Sequence, residues 1–140
     1  MLRHNPAFAV ALMSIPLVAC LFAFANIFDE GENFETFKDQ IAITESQLAF
    51  GETKTSDTVV VLGAVENQSA TPWKEVVFQV EFFDPAGKRI DTDQKRGYTL
   101  TVPAKAKIPF KVSIQREFPK DQYAKHSVTI ISAKDARARW

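Results

Sequence analysis

The sequence predicts an all-β sandwich of about seven strands behind one N-terminal membrane helix. Three observations carry this. Pro6 to Phe28 is an apolar stretch with no charged side chain. Beyond it, apolar residues recur at every second position in short runs, the period of a half-buried strand. Clusters of Gly, Pro, Asn and Asp separate those runs, and no helical period follows the leader.

A helix needs roughly 20 apolar residues to cross a bilayer, which Pro6–Phe28 supplies. Arg3 is the basic flank, while Asp29, Glu30, Glu32 and Glu35 follow on the other side. That bias keeps the N-terminus in the cytoplasm and sends the remainder across a bacterial inner membrane, into the periplasm or its equivalent. Three fates compete for the segment. Residues 1–28 stay as a signal-anchor helix; or Leu17-Val18-Ala19-Cys20, which resembles a bacterial lipobox, is lipidated at Cys20; or Ala23-Phe24-Ala25 is cut by signal peptidase. The anchor is the expected outcome, because the run exceeds the usual ~7–15 residues of a signal core. A lipidated Cys20 would also be followed by apolar Leu21–Phe28 instead of a polar tether.

About 110 residues remain, enough for one small domain with a core and too few for two. Residues 29–40 read as an acidic juxtamembrane linker with one helical turn around Phe34, Phe37 and Ile41, 41–133 as the sandwich, and 134–140 as a tail. Cys20 is the only cysteine, so the exported part forms no internal disulfide. Residues 29–57 carry a net charge of −6 (eight acids, two lysines), and 58–140 carry +5 (14 Lys and Arg, nine acids). The basic residues are scattered, as on lysine-protected sheet edges, and are not interleaved with aromatics in the manner of a nucleic-acid face.

The strands follow in order. Ile41, Ile43, Leu48 and Phe50 make a first strand interrupted at Glu45-Ser46. Thr58–Asn67 is β-branched and nearly continuous, as in a strand covered on both faces. It ends in the turn-rich Asn67–Pro72. Trp73–Asp84 places Val76, Phe78, Val80 and Phe82 on one face and Val77, Gln79, Glu81 and Phe83 on the other. Asp84-Pro85-Ala86-Gly87 has turn chemistry, with Pro fixing φ and Gly free to make it positive. Lys88–Thr92 returns as a short strand, and Tyr98–Val102 forms another. Pro103–Ala106 turns the chain into Ile108–Ile114, where Pro109 demands an edge or a bulge. Ser127–Ser132 closes the set. The count and spacing are those of an immunoglobulin-like β-sandwich, without the Cys–Trp–Cys framework of antibody domains.

Gly63-Ala64-Val65-Glu66-Asn67, Val80-Glu81-Phe82-Phe83-Asp84-Pro85-Ala86-Gly87, Leu100 with Val102-Pro103, and Phe110-Lys111-Val112 together resemble the FxLYD-type domain of bacterial envelope proteins. The match runs over residues 56–116. It departs from the pattern at Phe83, where tyrosine is common, and at Ala104, where the turn usually has glycine. The resemblance implies a small anchored β-sandwich with no established chemistry.

No catalytic, cofactor or metal site is expected. His4 and His126 lie on opposite sides of the membrane, and neighbours such as His126 and Ser127 on a strand face opposite ways. Asp84, Asp91 and Asp93 could offer oxygens to calcium, but Asp84 is accounted for by its own turn. Asn67 reads as a turn former. Candidate contact residues are Trp73, set between core packing and an interface role, together with Phe83, Arg137, Arg139 and Trp140, the last three in a tail expected to fray. The expected function is a non-enzymatic interaction module held in the membrane by its N-terminal helix, with an envelope protein as partner. The alternative is a binder of a small apolar or lipid ligand in a gap between the sheets near Phe78, Phe82 and Phe110.

Overall fold

The computed structural model describes residues 30–139. The expected helix over 1–28, Cys20 with its lipidation, and Trp140 lie outside the described residues. Among the described residues, no helix is long and apolar enough to cross a membrane.

Among the described residues six strands form two three-stranded antiparallel sheets: β1 (Ile41–Glu52), β2 (Asp57–Asn67) and β5 (Ala106–Gln115) in one, β4 (Arg89–Val102), β3 (Trp73–Phe83) and β6 (Lys125–Asp135) in the other. Sheet order is β1-β2-β5 and β4-β3-β6, so β2 and β3 are the central strands. Their sequences are the most apolar because each is flanked on both sides and covered by the facing sheet. Val59, Val61 and Val65 of β2 and Phe110, Val112 and Ile114 of β5 meet Val76, Phe78, Val80 and Phe82 of β3 in one core.

The strand count falls from about seven to six because Lys88–Thr92 and Tyr98–Val102 belong to one strand. Asp91 to Arg96, too polar to suggest a strand, pair residue by residue with Val77–Phe82 along the outer edge of β3. An edge strand keeps much of its surface in water, so it tolerates polar residues that a central strand would not. The interruption expected at Glu45-Ser46 is a β-bulge: register slips between Ile43 and Glu45, and pairing with β2 then continues to Glu52. That slip of one residue keeps Ile41, Ile43, Leu48 and Phe50 on the inward face. Pro109 lies on β5, at the edge of its sheet, as its missing N–H requires.

The hairpin at Asp84–Lys88 forms as its residues dictate. Gly87 takes φ +84°, its N–H donates to the Asp84 carbonyl at 2.9 Å, and the Lys88 N–H donates to Asp84 Oδ1 at 2.8 Å. In the Pro103–Ala106 turn the positive φ falls on Lys105 (57°) and not on Ala104.

The first and last described segments are tied to the sandwich more closely than a linker and a frayed tail. Helix α1 (Phe34–Phe37), capped by Asn33, buries Phe34 against Trp73 at 5.3 Å between ring centroids. Asp135 is buried and Ala138 is buried, with Lys74 Nζ donating to the Ala138 carbonyl at 3.0 Å. The Glu32 N–H donates to Asp135 Oδ2 at 3.0 Å, so these two segments also hold each other.

Candidate functional site

Two regions stand apart from the ordinary core. The first is a polar network at the end of the sandwich where α1 packs. Asn67, fully buried at the end of β2, donates from Nδ2 to the carbonyls of Thr71 (2.8 Å), Pro103 (3.1 Å) and Val102 (3.4 Å). Its Oδ1 accepts from the N–H (3.0 Å) and the hydroxyl (2.6 Å) of Ser69. Trp73 Nε1 donates to Ser69 Oγ at 3.2 Å. Asn67 is therefore more than a turn former: one amide satisfies carbonyls from two separate turns and ties the end of one sheet to the β4–β5 connection.

Trp73 sits in the same network and takes the first of its two expected roles, core packing, and not the interface role. It is fully buried beneath Phe34 and Phe37, so it is core and not a surface contact. The bulk that makes tryptophan an interface anchor is spent on joining α1 to β3. Arg137 is exposed, but its guanidinium lies on Asp135, with Nη2 2.8 Å from Oδ2 and Nε 3.0 Å from Oδ1. That guanidinium, aided by the N–H groups of Glu32 and Arg137, holds the Asp135 carboxyl well below the usual carboxylate range against the upward push of burial. Arg139 is exposed. Phe83 is half-buried at the far end of β3, ten residues from Trp73, so the described candidate contact residues are not gathered into one surface.

The second region is a lateral cleft of about 450 Å³ between the edges of β4 and β5. A β-bulge opens it. Glu75 takes φ 50°, and while Lys74 pairs with Thr101, Val76 pairs with Gly97, so Tyr98-Thr99-Leu100 loop out of the ladder. Tyr98 is thrown outward to 77% exposure. Leu100 forms one lip, Pro109 and Lys111 the other, and Phe78, Phe110 and Val112 line the floor. The rings of Phe78 and Phe110 stack at 4.8 Å. Opposite Phe110 on β2 lies Gly63, where a Cβ would meet a Phe110 ring carbon at 2.7 Å and the Glu45 carbonyl oxygen at 2.2 Å. Only glycine lets the ring lie flat across the strand.

Phe82, expected beside Phe78 and Phe110, belongs elsewhere. It packs edge-on to Tyr123 at 5.4 Å near the opposite end. Tyr123 was not legible as a key residue, although its place just before β6 is a usable signal. Its hydroxyl donates to Asp91 Oδ2 (3.0 Å) and accepts from the N–H of Glu117 (3.2 Å) and Phe118 (3.4 Å), while burial pushes its pKa up.

The remaining titratable candidates are committed locally. His126 Nε2 is 2.9 Å from Ser46 Oγ, bridging β6 to β1, and burial lowers its pKa. Asp84, Asp91 and Asp93 each accept a nearby backbone N–H. Among the described residues no group of three or more His, Cys, Asp or Glu side chains is placed to hold a metal ion.

No family model and no curated protein matches the chain. Among solved structures, a Northeast Structural Genomics Consortium target, SoR45, is similar at 14% identity and a TM-score of 0.42, over 69% of this chain and 84% of its own. A DUF1425 family member from Shewanella sp. pv-4 is similar at 12% identity and a TM-score of 0.39, over 66% of this chain and 95% of its own.

Proposed function

We propose that this chain is a membrane-anchored, extracytoplasmic module of a bacterial cell envelope that works by binding another protein and performs no chemistry itself. The apolar leader with its basic-then-acidic flanks supports the placement. The observation that carries the binding role is the outer edge of β6. Among the described residues β6 has β3 on one side and no strand on the other, and Lys125 to Ile130 run in regular register without proline. Such an edge is a template for strand addition by a partner.

The fold reading behind this is immunoglobulin-like. The orders β1-β2-β5 and β4-β3-β6 correspond to strands A-B-E and C′-C-F of that sandwich, in which the outer side of strand F, here β6, takes a further strand. Tyr123 supports it, since a tyrosine ahead of strand F that bonds to backbone a few residues upstream is a feature of the fold. The FxLYD resemblance fits the same picture, with Gly63 seating Phe110 and Asn67 joining the turns.

A photoreactive residue at exposed Thr129, introduced in the full chain in its native membranes, tests the proposal. A protein adduct of one defined mass from Thr129, and none from Gln115 on β5, is the expected result. Recovery of the monomer alone from both positions would overturn it. The second reading, binding of a small apolar ligand between the sheets, is favoured by the β4/β5 cleft over Phe78 and Phe110.

A further inference from the structure

The β4/β5 cleft combines three properties. Its floor is apolar, built from Phe78, Phe110 and Val112 with Leu100 at the lip. Its charged lining residues are Lys95, Arg96 and Lys111, with no acid among the lining side chains. Lys95 already faces Asp93 at 3.1 Å and Arg96 faces Glu75 at 3.7 Å, whereas Lys111 has no ion-pair partner among the described residues. An apolar trough with an uncommitted cation at its rim is complementary to a molecule with an apolar body and one negative head.

The edges beside the cleft argue for a small molecule over a peptide. Strand addition needs a regular row of backbone donors and acceptors. On β4 that row is broken by the Tyr98–Leu100 bulge, and on β5 Pro109 offers no N–H. A ligand seated here must bind through its apolar surface and its charge, without a backbone ladder. The volume of about 450 Å³ lies in the lower part of the roughly 300–1,000 Å³ range of small-ligand sites, which favours one chain over two.

We propose that the cleft binds a long-chain fatty carboxylate, its acyl chain lying between Leu100 and the Phe78–Phe110 stack and its carboxylate at Lys111. This rests on the second reading above and adds the class and orientation of the ligand. In a module tethered to a membrane, such a site would take up single-chain anions released at the bilayer surface.

The test uses the full chain in nanodiscs of zwitterionic lipid, a diazirine-bearing fatty acid as probe, and mass-spectrometric mapping of the adducts. Labelling is expected on residues 95–100 and 109–112. Lys111→Glu should lower it about tenfold, Lys111→Arg should restore it, and Lys125→Glu, a charge change on β6, should leave it unchanged. The matching diazirine fatty alcohol should label these segments about tenfold less. Equal labelling by the alcohol would overturn the carboxylate assignment while leaving an apolar ligand site standing. Labelling confined to residues 1–28, which reports partition into the bilayer alone, would overturn both.

Discussion

The Asn67–Trp73 end and the β4/β5 flank are built on opposite rules, although both sit at the margin of the same core. At the end, polar groups are buried and each finds a partner: Asn67 spans Thr71, Val102 and Pro103, and Asp135 takes the N–H groups of Glu32 and Arg137. At the flank, Phe78, Phe110 and Val112 belong to the core, but the edges of β4 and β5 stand apart over them beside Glu75 and the Tyr98–Leu100 bulge and leave a cleft. A closed network makes one arrangement far better than its neighbours, so the end fixes how the sheets are joined. The flank has no such constraint, and a cleft with an apolar floor on a rigid frame is where recognition is expected.

Truncating the end should cost most. Trp73→Ala removes the residue that joins α1 to β3 and is expected to destabilise the domain by about 3–5 kcal/mol in urea unfolding. A cost below about 1 kcal/mol would mean that α1 does not dock on β3 in solution. Asn67→Ala should cost about 2–3 kcal/mol, since buried carbonyls lose their donor while water can refill part of the space. Asn67→Asp tests the donor directly: its carboxylate cannot donate to those carbonyls and should be at least as damaging.

Acid should weaken the same end. Asp135 is held below its ordinary pKa in the folded state, so its contribution is complete above about pH 4 and is lost as pH falls below that. Stability of the wild type should therefore drop more steeply between about pH 4 and pH 2 than that of Asp135→Asn, which starts lower at neutral pH. Parallel curves would show that the Arg137–Asp135 pair does not persist in solution. At the flank, Leu100→Ala should cost only about 1 kcal/mol, because Leu100 is partly exposed at a lip and leaves no sealed cavity.

This contrast also explains what the sequence disclosed. β2, β3, the Asp84–Gly87 turn, the edge position of Pro109 and the helical turn at Phe34 were legible because each is governed by local period or local turn chemistry. The continuity of β4 was hidden, since Asp91–Arg96 are polar for the same reason an exposed loop is. The role of Trp73 depended on which segment covers it, and that segment lies 39 and 36 positions earlier, at Phe34 and Phe37. The cleft was only half legible. Phe78 and Phe110 were placed in it, but the bulge that opens it turns on a glutamate with positive φ, for which Glu75 carries no local signal. Lys111 gains its meaning only from having no ion-pair partner among the described residues and no acid beside it in the lining.

Native-state hydrogen exchange on the full chain addresses most directly whether the end is closed and the flank open. The amides of Val102 and Trp73 are expected to exchange only with global unfolding, while those of Tyr98, Thr99 and Leu100 exchange through local opening, orders of magnitude faster. Equal, slow exchange at residues 98–100 and 102 would show that β4 closes onto β5 in solution and would contradict the open cleft.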